Sequence, residues 1–445
     1  VSKGTYVVPL PNGHSTARGV GKPAQYALMS VNLKPGDDRN LEANPGSLSG
    51  NKKKNRKMKN RITTMDKRKK VIGYVSEKNP FTDRKAWSGS IFKLREGIEN
   101  AGYEVKWICS RPSAIKKFFC KNLAKLRYRH IKINYNQEYN RLCARSICPE
   151  DFEGCDYLFV PCNGCLLPYL PPQLPVIFYT DATHRLLVGY YWRKELTNKV
   201  IEHGERCEQA GIFRATLNLR SSRWAANSVV NDYGFPPERT YVLEFGANID
   251  DSDLTPNATT YTSGETVNIL FSGVEWKRKG GDVAVETVRL LNEWGIKARL
   301  VIAGIRKLPE PYEGLPYIDY VGFLDKNHPE EYRRYVQLWQ ETHLFLLPTR
   351  AECAGIVFCE ASAYGVPIFT YDTGGTGDYV IDGVNGYKLP TTASAADFAA
   401  CIKQHLNTTS LHTLHEGGLR LYKEKLNWAA WGRRFREIMQ ENGMG

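Results

Sequence analysis

Short apolar runs alternate with longer stretches of helical periodicity along most of the chain. A first series of predicted strands lies at 71–76, 103–109, 157–161, 175–179, 216–219 and 240–245. A second series follows at 267–271, 298–303, 318–321, 344–347 and 367–371. Strands that alternate with helices form parallel sheets covered by helices on both faces, so the pattern predicts an α/β fold.

A polar, turn-rich segment over residues 249–264 separates the two series of strands. We therefore predict an N-terminal Rossmann-like domain over 70–249 and a second one over 250–426. The length of 445 residues accommodates domains of this size. Two doubly wound domains predict a central cleft, because ligands bind at the carboxyl ends of parallel strands.

Residues 1–69 are predicted to be a disordered basic leader. Gly, Pro, Asn and Ser are frequent there, apolar periodicity is absent, and a basic run covers 52–59. Such a composition buries too little apolar surface to offset the entropy lost on ordering. The basic run has the chemistry to bind nucleic acid or an anionic membrane, but an unstructured or artefactual leader is the favoured interpretation. Met65 is the expected start of the folded protein.

The positive charge of the chain is concentrated in this leader. The whole chain has a net charge of +14, and residues 1–70 hold 16 Lys and Arg against 4 Asp and Glu, a net of +12. The other 375 residues therefore carry only +2. The folded part needs no polyanionic partner, and no specific nucleic acid is expected. A nucleic-acid-binding protein acting through 52–70 is the alternative from another class.

The chain shows no stretch near the roughly 20 apolar residues that cross a bilayer, and residues 1–10 show no signal peptide. We expect a cytoplasmic protein, and peripheral contact with the inner face of the membrane is an open alternative. The predicted terminal helix offers a basic face for such contact, although solvated charge is the favoured interpretation: Arg433, Arg434 and Arg436. The eleven cysteines should then be reduced thiols. Cys162 and Cys165 have zinc-like spacing, but buried thiols are favoured and no metal is expected.

The loop after the first strand excludes a dinucleotide-binding fingerprint. It has one glycine, Gly89, where NAD-binding domains have Gly-x-Gly-x-x-Gly. Ser88, Gly89 and Ser90 still leave backbone N–H groups at a helix N-terminus, where a phosphate can approach. A plain N-cap by Ser88 explains the same residues equally well.

A second candidate site follows the first strand of the second domain. Three cations and two glycines occur there in succession: Lys277, Arg278, Lys279, Gly280 and Gly281. Their position at a strand-to-helix junction favours an anion cradle over a solvated basic turn.

The third feature is a pair of carboxylates, Glu352 and Glu360, around a helix that starts near Gly355. The free N–H groups and the dipole of that helix point at whatever occupies the cleft. An ionised carboxylate can accept hydrogen bonds from two neighbouring hydroxyls, which favours a sugar ligand. A surface helix with ordinary charges is the alternative.

Further motifs accompany this pair. An Ala-x-Ala-x-Gly-x-Pro run follows Glu360, and Gly-rich turns follow at 373–378 and 382–386. The set resembles the retaining glycosyltransferases of family 4, which have the GT-B fold, over roughly residues 70–440. The resemblance implies transfer of a sugar from a nucleotide-diphosphate sugar to a glycan, lipid or small-molecule acceptor with retention of configuration. It also implies that a terminal helix in 427–445 crosses back onto the first domain.

The resemblance implies roles for single residues. Glu352 should contact the donor sugar and Glu360 the ribose hydroxyls. Lys279, with Arg278, should neutralise the diphosphate, which Gly89 should also face. The sugar or the distal phosphate should contact the backbone amides of Ala354, Gly355, Ile356 and Val357. The base should contact the side chains of Phe323 and Leu324. Because Lys and Arg can stabilise the leaving group, no metal cofactor is required.

Asp181 and His184, after a first-domain strand, complete the predicted catalytic set with Glu352. His184 is expected to polarise a sugar hydroxyl or to support the sugar cation through its carbonyl, and a structural histidine is the alternative. The aromatic residues 190–192 are expected to be packing residues. Val274 stands where many relatives have Arg, and Lys277 and Arg278 are the two candidates to supply that charge. The enzymatic alternatives are a nucleotide-sugar epimerase, a phosphorylase and, less favoured, a glycosidase.

Overall fold

The computed structural model describes residues 68–128, 132–192, 196–255, 261–262 and 264–445. These residues belong to one compact unit. The predicted leader and the expected start at Met65 lie outside the described residues, except for Arg68 and Lys69. In the described part, no helix is long and apolar enough to span a bilayer.

The first sheet consists of six parallel strands in the order β2-β1-β3-β4-β5-β6. The strands are β1 (Val71–Ser76), β2 (Glu104–Cys109), β3 (Tyr157–Pro161), β4 (Val176–Thr180), β5 (Leu217–Arg220) and β6 (Thr240–Val242). The helices among them are α1 (Ser90–Asn100), α2 (Ala114–Arg127), α3 (Gln137–Ala144), α4 (His184–Leu187), α5 (Asn198–Arg214) and α6 (Arg223–Asn231).

The second sheet also has six parallel strands, in the order β12-β11-β10-β7-β8-β9. The strands are β7 (Val267–Ser272), β8 (Ala298–Ala303), β9 (Ile318–Gly322), β10 (Leu344–Leu347), β11 (Ile368–Tyr371) and β12 (Gly386–Leu389). The helices are α7 (Trp276–Lys279), α8 (Gly281–Glu293), α9 (Pro329–Gln340), α10 (Ile356–Ala363), α11 (Ala395–His405), α12 (Thr408–Glu424) and α13 (Trp428–Glu441).

Both sheets confirm the predicted α/β architecture. Every residue of β3, β4 and β10 is buried, which explains their uninterrupted apolar runs, since strands of a covered parallel sheet are shielded on both faces. Strand β12 is missing from the prediction because Tyr387 and Lys388 are only half-buried and give no apolar run. The domain limits at 249/250 and 426/427 stay predictions.

Helix α13 crosses back onto the first domain, as predicted. The Trp431 ring lies against Phe159 and Tyr179, with ring centroids 6.3 and 5.8 Å apart. Asn427 caps the helix by accepting a 2.7 Å hydrogen bond from the backbone N–H of Ala430. Because Trp431 is almost fully buried, this helix is part of the first domain's core.

The packing of α13 against α1 depends on a glycine. A Cβ built on Gly97 would lie 2.7 Å from Cε3 of Trp431. We expect Gly97→Ala to lower the free energy of unfolding by about 1–3 kcal/mol, because the ring must move to make room. Urea denaturation measures this. Gly418→Ala in α12 is the control, since its nearest atom is 3.5 Å away and alanine favours helix. Equal stability of both variants would contradict the close packing.

Candidate active site

A cleft with a volume of about 780 Å³ lies between the carboxyl edges of the two sheets. This size is typical of a site for a small-molecule ligand. The first domain lines it with the loop after β1 and with Asp181, which follows β4. The second domain lines it with the segments that follow β7, β8, β9 and β10. The cleft expected from two doubly wound domains is therefore present.

Positive charge predominates along the cleft. Among the described residues, seven Lys and Arg side chains line it against four carboxylates, an excess of three positive charges: Arg84, Lys85, Arg278, Lys279, Arg306, Lys307 and Lys326 against Asp181, Asp325, Glu352 and Glu360. A concave surface of one sign concentrates ligands of the opposite sign. The cleft is therefore suited to an anion that also carries polar groups for the carboxylates.

The predicted cations and the first predicted carboxylate meet on one wall. The buried ammonium of Lys279 donates a hydrogen bond to Oε2 of Glu352. Nη1 of Arg278 lies 3.9 Å from the same oxygen and donates a 2.9 Å bond to the carbonyl of Ala351. The guanidinium also lies 4.5 Å from the centre of the Tyr191 ring. These contacts hold both cations facing the cleft.

The turn after α7 fixes the direction of Lys279. Gly280 has a φ of 74°, and a Cβ there would lie 2.0 Å from the carbonyl oxygen of Pro348. Only glycine fits this close approach. Val274 is exposed at the rim of the cleft, and Arg278 rather than Lys277 lines it. Of the two candidate cations, Arg278 is the one that faces the cleft.

Helix α10 starts at the cleft. Its N-cap is Gly355, with a φ of 103°, and the four predicted residues Ala354, Gly355, Ile356 and Val357 all line the wall. The first N–H groups of an α-helix have no acceptor within the helix and carry partial positive charge. The helix start therefore adds to the positive wall formed by Arg278 and Lys279.

Glu360 lies deeper, one turn into α10, and its carboxylate has two donors. Lys326 donates to Oε1 at 2.7 Å and the Tyr335 hydroxyl donates to Oε2 at 2.6 Å. Burial raises the pKa of Tyr335 well above its usual value, so the hydroxyl stays a donor. Lys326 and Tyr335 are site residues that the sequence did not reveal.

Phe323 and Leu324 line the cleft beside Glu360, as expected. The guanidinium of Arg306 lies 4.2 Å from the centre of the Phe323 ring. Arg306 also lines the cleft, in the segment after β8. An aromatic ring with a stacked guanidinium offers a flat surface for a planar group.

The first domain faces this wall with Trp87 and Asp181. The indole N–H of Trp87 donates a 3.4 Å bond to Oδ2 of Asp181. Trp87 and Ser88 have φ values of 50° and 57°, a left-handed conformation that costs free energy in non-glycine residues and is common at functional sites. Asn248 stabilises this turn with a 2.7 Å bond from Nδ2 to the Ser88 carbonyl. Gly89 borders a smaller crevice beside the cleft rather than the cleft itself.

Burial raises the pKa of Asp181 to about 6, and the charge of Glu352 adds to the rise. The unfolded value is about 3.9, so between these two values the folded protein binds a proton that the unfolded chain does not. The stability that this proton provides is present below about pH 4 and is lost as the pH rises through about 6.

We therefore expect Asp181→Asn to become more stable relative to the wild type as the pH rises from about 4 to about 6. Urea denaturation of both proteins across this range measures the difference in the free energy of unfolding. A difference that does not change with pH would show that Asp181 has an ordinary pKa.

His184 does not line the cleft, contrary to expectation. It is buried, and its Nδ1 lies 2.8 Å from Oε1 of Glu205. Its ring packs between Tyr135 and Trp192, with centroids 4.7 and 5.4 Å away. Its carbonyl accepts a hydrogen bond from Val188 within the helical turn. We correct the expected role of His184 to a structural one, because both its ring and its carbonyl have partners within the domain.

Two of the three aromatic residues at 190–192 reach the cleft region. The Tyr190 hydroxyl accepts a 2.8 Å bond from the backbone N–H of Glu352 and lies 2.8 Å from Oγ1 of Thr373. Tyr191 lines the cleft beneath Arg278. Trp192 packs on Tyr135 and His184, and the Tyr190 ring also packs on Trp224 with ring centroids 5.3 Å apart, so both have the packing role that the sequence suggested. Tyr190 thus connects the first domain directly to the segment that carries Glu352.

All eleven cysteines are free thiols. Cys165 is buried and Cys162 half-buried, which agrees with the favoured interpretation of this pair. Within the described ranges, no group of three or more His, Cys, Asp and Glu side chains is arranged to hold a metal ion.

Sequence comparison places the second half of this chain among known proteins. Residues 262–415 match the family described as glycosyl transferases group 1. The chain is 26% identical to a D-inositol 3-phosphate glycosyltransferase of Corynebacterium aurimucosum over 50% of this chain and 56% of that protein. It is 31% identical to the protein of the same name from Xylanimonas cellulosilytica over 40% and 46%. The chain thus spans about half the length of these curated relatives.

Solved structures resemble the whole folded part. A sucrose-phosphate synthase from Thermosynechococcus elongatus has a TM-score of 0.62 at 15% identity, over 84% of this chain and 99% of that one. The lipopolysaccharide glycosyltransferase WaaG has a TM-score of 0.54 at 15% identity, over 82% and 99%. The chain therefore has the GT-B fold and carries, at residues 262–415, a domain that matches the glycosyl transferases group 1.

Proposed function

We propose that this protein transfers a sugar from a nucleotide-diphosphate sugar to an acceptor hydroxyl, with retention of anomeric configuration and without a metal cofactor. One observation carries the proposal: Lys279, Arg278 and the start of α10 form a positive wall that directly adjoins the carboxylate of Glu352. A diphosphate needs the positive wall, and a sugar needs the carboxylate. Their adjacency matches the way the two are joined in such a donor.

The donor lies along the second domain in this proposal. The diphosphate contacts Lys279, Arg278 and the amides at 354–357. The ribose hydroxyls donate to Glu360, which is held by Lys326 and Tyr335. The base lies against Phe323 and Leu324. An ammonium has three donors, so Lys279 can hold Glu352 and phosphate oxygens together.

The chemistry follows from these positions. The bond between the anomeric carbon and the phosphate oxygen breaks, and its electron pair stays on the diphosphate. The cations and amides are already oriented toward that developing charge, which lowers the barrier without reorganisation. The acceptor oxygen then bonds to the anomeric carbon on the same face, and its proton passes to the departing phosphate oxygen.

Asp181 lies across the cleft from this wall. With a pKa of about 6 it is mostly ionised at neutral pH. A carboxylate there stabilises the positive charge that develops on the sugar. Glu352 positions the same sugar by accepting from its hydroxyls. We assign no chemical step to His184.

A panel of nucleotide-sugars tests the donor. A true donor at about 100 times its dissociation constant should stabilise the fold by about 2.7 kcal/mol, which thermal shift detects. The acceptor panel should include D-inositol 3-phosphate, glycans and lipids. The first is chosen because the curated relatives are named D-inositol 3-phosphate glycosyltransferases. Proton NMR of the product then gives the anomeric configuration, with and without EDTA.

The outcomes separate the candidate activities. Transfer requires that nucleoside diphosphate appears only with an acceptor and that the product keeps the donor's configuration. Release that does not depend on an acceptor would favour an epimerase. Formation of a sugar phosphate from inorganic phosphate would favour a phosphorylase. Inversion, or loss of activity with EDTA, would contradict the proposed mechanism.

A further inference from the structure

Helix α2 carries an exposed apolar stripe. Among the described residues, ten large hydrophobic side chains are more than a third exposed, and half of them lie on this 14-residue helix. They are Ile115, Phe118, Phe119, Leu123 and Leu126, with exposed fractions between 63% and 86%. Spacings of three and four residues place them on one face of the helix.

The opposite face holds α2 on the first domain. Ala124 is buried and Cys120 is half-buried. Lys117 forms a 2.7 Å ion pair with Glu77, which directly follows β1 in the loop that continues to Trp87. The helix is therefore fixed to the domain, and its apolar stripe points away from the protein.

Basic side chains flank the stripe. The helix has five basic residues and no acidic one: Lys116, Lys117, Lys121, Lys125 and Arg127. At about 100° per residue, Lys116 and Arg127 lie on one side of the stripe and Lys121 and Lys125 on the other. Arg127 is in a 3.2 Å ion pair with Glu138, so the three lysines carry most of the positive charge along the stripe. An apolar face between two basic edges is the pattern of a helix that lies in the interface of an anionic bilayer.

We propose that α2 docks this protein on an anionic lipid bilayer, with its apolar stripe among the acyl chains and its lysines at the headgroups. Charge decides against the other occupants. Residues 1–70 carry +12, and a second copy docked through the same helix would place one basic helix against another. A nucleic acid matches the charge but offers no apolar surface to the phenylalanines.

The basic face predicted on α13 does not take this role. Arg434 donates to Glu437 and Glu441 at 3.2 and 3.0 Å, and Arg436 donates to the carbonyl of Ala101 at 2.6 Å. Two of its three arginines thus bind within the protein. Helix α2 begins at the carboxyl edge of the first sheet, so docking through it brings the cleft close to the bilayer. The proposal does not depend on the proposed activity.

Vesicle flotation of the full chain tests the docking. We expect binding to vesicles of phosphatidylglycerol and phosphatidylcholine, little binding to phosphatidylcholine alone, and weaker binding at high salt. Phe118→Ser/Phe119→Ser should lower the partition coefficient about tenfold or more, because the bound protein loses two aromatic side chains that insert into the bilayer. Phe213→Ser on α5, exposed by 52%, is the matched control and should bind as the wild type does.

Further variants test which lysines contribute to vesicle binding and whether the leader contributes. Lys121→Gln/Lys125→Gln should weaken binding and reduce its salt dependence. When the leader carries Lys52→Gln/Lys53→Gln/Lys54→Gln, Phe118→Ser/Phe119→Ser should still lower vesicle binding as much as it does in the wild type. Amide hydrogen exchange at 114–127 should slow when anionic vesicles are added. Circular dichroism should show all variants folded, since each altered α2 side chain is exposed.

Four results would overturn the proposal, three of them from flotation and sedimentation. First, the wild type does not float with anionic vesicles. Second, the Phe118→Ser/Phe119→Ser protein still binds, whereas the variant without the leader lysines does not. Third, the wild type sediments as a dimer, Phe118→Ser/Phe119→Ser dissociates it, and vesicles bind neither the wild type nor this variant. The last result would assign the stripe to a second copy. Unchanged exchange at 114–127 on bound vesicles would place the contact elsewhere.

Discussion

Replacing Lys279 with alanine should lower kcat by about 10³-fold, because one preorganised donor to the leaving group commonly contributes about 10²–10³. Lys279 is buried at the wall of the cleft and donates to Glu352. Its loss removes a charge from the proposed diphosphate site and leaves Glu352 with a weaker partner, Arg278 at 3.9 Å. The affinity for nucleoside diphosphate, measured by calorimetry, should fall as well.

Lys277→Ala is the control for this variant. Lys277 lies in the same short helix, but its side chain is exposed and does not line the cleft. Its kcat should stay within about twofold of the wild type, because a distant exposed charge is screened. If Lys277→Ala loses as much activity as Lys279→Ala, the diphosphate does not lie where the proposed function requires it.

Glu352→Gln should lower kcat by about 10²–10³ with little change in the KM for the donor. The amide keeps the size of the carboxylate but removes the charge that binds Lys279 and that we propose accepts hydrogen bonds from the sugar hydroxyls. An interaction that positions the reacting sugar affects the transition state more than the ground state, and steady-state kinetics separates the two.

Glu360→Gln provides the contrast. Its carboxylate lies deeper, between Lys326 and Tyr335, where the ribose is proposed to bind. We expect a rise in the KM for the donor and in the dissociation constant of the nucleoside diphosphate, with a smaller effect on kcat. A donor without ribose hydroxyls should abolish the difference between this variant and the wild type. Identical kinetic changes in both glutamate variants would contradict their separate assignments.

The fold and the positive wall could be predicted because their signals are local. Short apolar runs in the sequence indicate the alternation of strands and helices, and the cations at 277–279 lie in the segment after strand β7. Residues that follow parallel strands meet at one edge of the sheet, whatever the rest of the chain does. This is why Lys279 and Glu352, 73 positions apart, could be assigned to one site.

The position of His184 could not be predicted from local sequence. It follows a strand, as Asp181 does, but α5 covers it. A Cβ on Gly204 would lie 2.1 Å from Nε2 of His184, so this glycine lets α5 approach the ring, and the adjacent Glu205 binds Nδ1. The deciding residues lie about 20 positions away. Nothing near His184 in the sequence indicates that they pack against it.

The partners of Glu360 were missed for a similar reason. Lys326 lies in the loop after β9, and Tyr335 lies on α9, where lysine and tyrosine are ordinary surface residues. Only the tertiary fold brings this loop and α9 to the carboxylate of Glu360 on α10. One signal was available: Lys326 lies two positions after Leu324, the second of the predicted base-binding residues.

A crystal structure with a bound nucleoside diphosphate tests the central claim most directly, with the uridine, guanosine and adenosine compounds tried in turn. We predict phosphate oxygens within about 3 Å of Nζ of Lys279 and of an amide at Gly355 or Ile356, and ribose hydroxyls on Glu360. A diphosphate bound elsewhere, with Lys279 bonded to Glu352 alone, would contradict the account.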